Sequence, residues 1–182
     1  MNETFAQTIA EPTTCLWWSH AFSNGFWVFV GIIAGTLVTL LASFILACLK
    51  KKKIKRNIKF EISFNISKIQ EWKGLLDEVL EASNSDNMED CLVLFDFQKI
   101  ILWTVNKTIS DGTVYDYIDQ ESIVTLQKLT DFCTLFYSEK INNGVQKFKD
   151  NPDRAGVAKM VRFWKTLLDQ HETRLRLIES KL

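Results

Sequence analysis

Phe26 to Leu49 reads FWVFVGIIAGTLVTLLASFILACL, and Lys50 to Lys59 continues it as KKKKIKRNIK. The first stretch carries no charge, and neither do the five residues before it, so charge is absent from Ala21 to Leu49. As a helix, its 24 residues extend about 36 Å at ~1.5 Å per residue. A bilayer hydrocarbon core is about 30 Å thick, so the stretch is expected to span a membrane with some tilt. A cleaved signal peptide would carry a basic leading region and a shorter apolar core. Here the leading residues carry Glu3 and Glu11, and the bases come afterwards.

Those bases set the expected orientation. Lys50, Lys51, Lys52, Lys53, Lys55, Arg56 and Lys59 put seven cations in ten residues, while Met1 to Leu49 has no Lys or Arg. Positive flanks stay on the cytosolic side, so the sequence predicts a single-pass cell-membrane protein, N-terminus outside and C-terminus in the cytosol. Trp17, Trp18, Phe22, Phe26 and Trp27 then form an aromatic belt at the outer boundary. Lys50, Lys51, Lys52, Lys53, Lys55 and Arg56 are expected to touch inner-leaflet lipid, each worth roughly 1 kcal/mol against anionic headgroups.

Within the span, Gly31 and Gly35 are four residues apart and Thr39 follows at the same step. Small residues let two helix backbones approach, and such packing drives association in lipid. Gly31, Gly35 and Thr39 are therefore the expected helix–helix contact of a homo-oligomer. Cys15 lies alone on the outer side, a candidate for an intermolecular disulfide.

Beyond the lysines, residues 60–182 carry 15 basic and 20 acidic side chains. No basic face dominates, so nucleic acid is not an expected partner. The 182 residues divide into an outer tail (1–25), a transmembrane helix (26–49), a basic tether (50–66) and a cytosolic helical bundle (67–182). The fold class is all-α: one N-terminal transmembrane helix and a bundle of about four helices. In the tether, apolar residues at 58, 60, 62, 64 and 66 alternate with polar ones. Strict alternation favours an extended segment over a helix leaving the membrane.

Ser67 to Gln70 resembles a capping box, so the first bundle helix is expected from Ser67 to about Ala82. A second helix is expected from Asp86 to about Ile109. It contains LVLFDF and IILWTV and would be central because it is apolar on most sides. A third runs from Thr113 to a stop at Asn142-Asn143-Gly144, and Asn151-Pro152-Asp153 opens the last. There Val157, Val161, Trp164, Leu168, His171, Leu175, Ile178 and Leu182 alternate steps of four and three. That heptad seam fits a helix inside the bundle or a coiled coil with a second subunit.

No zinc spacing, phosphate loop or nucleophile elbow occurs, and there are two histidines, so no enzyme, metal or cofactor is expected. The expected function is a membrane-anchored interaction module whose bundle recruits or joins a protein partner. A self-assembling, pore-forming or membrane-perturbing effector is the alternative, and an enzyme without a readable motif the second.

Overall fold

The structure is a computed structural model that describes the backbone from residue 15 and the side chains from residue 25 to the C-terminus. Within it the protein is all-α. Five α-helices follow in order: α1 Cys15–Asn84, α2 Trp103–Ser110, α3 Gln120–Phe132, α4 Leu135–Asp150 and α5 Arg154–Lys181. Two short 3-10 turns, Phe97–Lys99 and Val114–Asp116, complete the set. By its internal contacts the chain divides after Lys51.

Up to Lys51 the described side chains of α1 are all exposed. This helix is long and apolar enough to cross a membrane, with a mean hydropathy of 2.5 over its most apolar 18 residues. It begins at Cys15, so residues 15–25 are helical where the sequence suggested a tail.

From Lys52 on, α1 is the first helix of the bundle. This corrects the extended tether expected over 58–66 and the helix start expected at Ser67, both of which lie inside α1. Nothing between Lys50 and Lys73 breaks a helix: the stretch holds no Gly or Pro, and Lys and Arg are good helix formers. The decisive pattern is burial. Ile58, Ile62, Asn65, Ile69, Trp72, Leu76, Val79 and Ser83 are all buried, in steps of four and three. Phe60, which supported the alternating reading, is 63% exposed. α1 ends at Asn84 because Asp86 turns into the left-handed region at φ 58°, and the Asn87 N–H closes back on the Ala82 carbonyl at 2.9 Å.

The expected second helix is the largest departure. Residues 91–96 form no helix, Phe97–Lys99 is a single turn, and only Trp103–Ser110 is α-helical. Burial from Cys91 to Phe97 follows period two: Cys91, Phe95 and Phe97 are buried and Leu92 and Leu94 exposed. That is the signature of extended backbone. A run of apolar residues hides this alternation, because apolar side chains occupy both faces.

The expected third helix is two. α3 ends at Phe132, and α4 starts at Leu135 and continues through Gly144. Gly144 is no stop. A Cβ there would lie 2.9 Å from the Met160 sulfur, so the glycine marks the close approach of α4 to α5. α5 starts at Arg154 with Asp153 as N-cap, two residues after the Asn151 cap expected from sequence.

α3 and α4 both pack on α5. The middle of the core is aromatic. Phe97 is fully buried and stands 4.8 Å from Trp72, 5.2 Å from Phe132 and 5.8 Å from Trp164, measured between ring centres. A residue from the irregular segment thus plugs the space that α1, α3 and α5 leave between them.

Candidate interaction surfaces

Between α1 and the first turn of α2, the segment from Cys91 to Val105 needs partners for its backbone, and four side chains supply them. The Asn142 amide accepts from the Phe95 N–H and donates to the Phe95 carbonyl, both at 2.8 Å. Ser138 Oγ accepts from the Phe97 N–H at 2.8 Å. Asn65, fully buried, holds Ile101 in the same two-bond manner, at 2.9 Å from its N–H and 2.8 Å to its carbonyl. The Glu61 carboxylate accepts from the N–H groups of Thr104 at 2.6 Å and Val105 at 3.3 Å. Those two donors open α2, whose N-cap residue is Leu102 and offers no side-chain cap. Glu61 therefore caps α2 from another helix and sets a negative charge at its positive end.

Sequence reading missed all four residues. For Asn65 a signal existed: it occupies a seam step of α1 between Ile62 and Ile69, where an apolar residue would be expected.

On α5 the seam lies within the bundle. Val157, Val161, Trp164, Leu168, Leu175 and Ile178 are buried, while His171 is half-buried. The His171 ring packs 4.6 Å from the Phe132 ring centre. Burial, and secondarily the Arg174 charge, hold its imidazole below the ordinary value of 6.5.

Ion pairs along the rim fix α1 and α5 antiparallel. Glu172 accepts from Gln70 at 3.0 Å and Lys73 at 3.1 Å, Lys165 pairs with Asp77, and Arg154 pairs with Asp86. Burial alone would raise the Glu172 carboxyl, but Arg176, Lys73 and Gln70 outweigh it and hold it below its usual range. At the opposite end of α5, Lys181 bonds Asp119 at 2.8 Å, and Asp119 also caps α3 through the Ser122 N–H at 2.7 Å. That combination holds the Asp119 carboxyl well down.

In the apolar part of α1, a Cβ on Gly31 or Gly35 would meet nothing within 4 Å. Thr39 turns its hydroxyl inward, donating to the Gly35 carbonyl at 2.9 Å. Gly31, Gly35 and Thr39 therefore offer an open, low surface. Lys50, Lys51, Lys52, Lys53, Lys55, Arg56 and Lys59 are all exposed. The side chains of Cys15, Trp17, Trp18 and Phe22 lie outside the described residues.

For chemistry the surface offers little. Among the described residues no three His, Cys, Asp or Glu side chains are placed to hold a metal ion. Burial pushes the Cys133 thiol up to about 12, so it is no nucleophile at neutral pH. Asp96 accepts from the Gln98 N–H at 3.1 Å and lies 3.8 Å from Lys99, a local cap rather than a buried acid. No protein family, curated protein or solved structure matches the chain.

Proposed function

We propose that the protein is a single-pass, non-enzymatic membrane anchor whose cytosolic bundle recruits or assembles with a protein partner. The observation that carries this reading is the make-up of α1. An apolar stretch exposed on every described side is followed at once by seven exposed cations, and the same helix then supplies one wall of a separate hydrophobic core. Apolar surface exposed over that length has lipid as its natural solvent. The cations belong on the cytosolic side by the positive-inside rule, where they meet anionic headgroups. Gly31, Gly35 and Thr39 give the span a face for a second copy. The bundle beyond is rich in surface charge, closes its own core, and carries exposed apolar side chains, Leu92, Leu94 and Trp103 foremost.

The test compares the full chain with a chain ending at Lys51, each purified from cell membranes in mild detergent. The reading expects a soluble protein that co-purifies with the full chain alone and moves to the cytosolic fraction when the anchor is removed. Retention of no such protein, together with dye release from vesicles on reconstitution, would replace the module with a membrane-perturbing effector.

A further inference from the structure

Leu92 is 91% exposed and Leu94 71%, and between them Val93 is half-buried. In extended backbone, the N–H and C=O of one residue point to one edge and those of the next to the other. The Phe95 groups and the Phe97 N–H turn to the edge that Asn142 and Ser138 occupy. On that alternation the groups of Leu92 and Leu94 address the opposite edge, and no hydrogen bond among the described residues takes them. Among the described residues this is an irregular segment, outside any helix, whose burial alternates as in extended backbone and whose second edge takes no hydrogen bond. Its outward leucines sit where a pairing segment would cover them.

Charge narrows the occupant. Glu89 and Asp90 precede the leucines, both exposed and outside any ion pair among the described residues, and Asp96, paired with Lys99 at 3.8 Å, follows them. A second copy pairing antiparallel about Val93 would set Asp90 opposite Asp96 twice, and like charges directly opposite are unfavourable. A basic segment meets opposite charge at the Glu89–Asp90 end.

We propose that Leu92–Leu94 is a strand-addition site for an extended peptide of a partner protein, one with alternating apolar residues and basic side chains. This rests on reading the bundle as a recruitment module. The backbone pairing supplies affinity, and the leucines and acids supply selectivity.

The probe is a fluorescent peptide of alternating lysine and valine, titrated against the full chain in nanodiscs of neutral lipid. Its controls are the same peptide N-methylated at every second residue and a glutamate–valine peptide. Saturable binding is expected, weakened about tenfold or more by N-methylation, which removes the pairing donors. The glutamate–valine peptide should not bind. Leu94→Pro, which deletes one edge N–H on an exposed residue, should lose about tenfold, and Leu94→Ala less than about threefold. Equal binding of the N-methylated peptide, or wild-type binding by Leu94→Pro, would overturn the site, as would no binding to the unmodified chain. Co-purification from cells separates the two levels. A partner held equally by wild type and Leu94→Pro refutes this site and leaves the module standing, whereas no partner with either refutes the module.

Discussion

Asn142 and Asn65 each do what a neighbouring strand would do, offering a donor and an acceptor to one residue of an extended segment. An amide used in this way is worth more for what its loss exposes than for the bonds themselves. Asn142→Ala leaves both Phe95 backbone groups unmatched and is expected to cost about 2–4 kcal/mol, as is Glu61→Ala, which uncaps α2. Urea unfolding followed by circular dichroism checks both, with Asn143→Ala, on an exposed position, as the neutral control. His171 acts through pH. Its folded-state value lies below the unfolded one of about 6.5, so the unfolded chain takes up the proton first as pH falls. Stability is therefore full above about 6.5 and declines below it. His171→Leu, beside Phe132, should stabilise the bundle and flatten that decline. A wild-type stability unchanged between pH 7 and 5 would show that the ring gains no protection from burial.

The last helix was legible from its heptad steps, and the bundle does bury six of its eight seam residues. α1 carries a matching series from Ile58 to Ser83, yet the alternation of Ile and Phe over 58–66 concealed it. Period two and the helical series share Ile58 and Ile62, Ile66 is buried beside that series, and Asn65 looked like a polar strand position. The segment 91–105 failed for another reason. Its shape depends on Asn65, Glu61, Ser138 and Asn142, which lie far away in sequence, and no local pattern encodes them. A fragment starting at Ser67 loses Ile58, Ile62, Glu61 and Asn65, whereas one starting at Lys52 keeps the whole core. The longer fragment is expected to be soluble, helical and cooperative on heating, and the shorter one to melt at markedly lower temperature without a sharp transition. Equal melting of the two would mean that the first turns of α1 contribute nothing to the bundle.

Over the whole molecule, one helix is proposed to serve two solvents. From Phe26 to Leu49 it is uncharged and mostly apolar, as lipid requires, and its second part has the one-sided burial of a water-soluble bundle. The proposed sense of insertion rests on the cations at the change-over, through the positive-inside rule. If Gly31, Gly35 and Thr39 join two copies, Gly35→Ile should weaken association in a membrane reporter by about threefold or more. An unchanged signal would assign the contact to another face. The proposed function requires that α1 cross the bilayer with the bundle in the cytosol. It is tested by placing a cysteine at the exposed Ser180, in a chain with Cys15 and Cys48 replaced by serine, and treating intact cells with a membrane-impermeant maleimide. Cys91 and Cys133 are buried and stay silent. Labelling at position 180 is expected only after the membrane is permeabilised, and labelling in intact cells would contradict the orientation and the recruitment of a cytosolic partner with it.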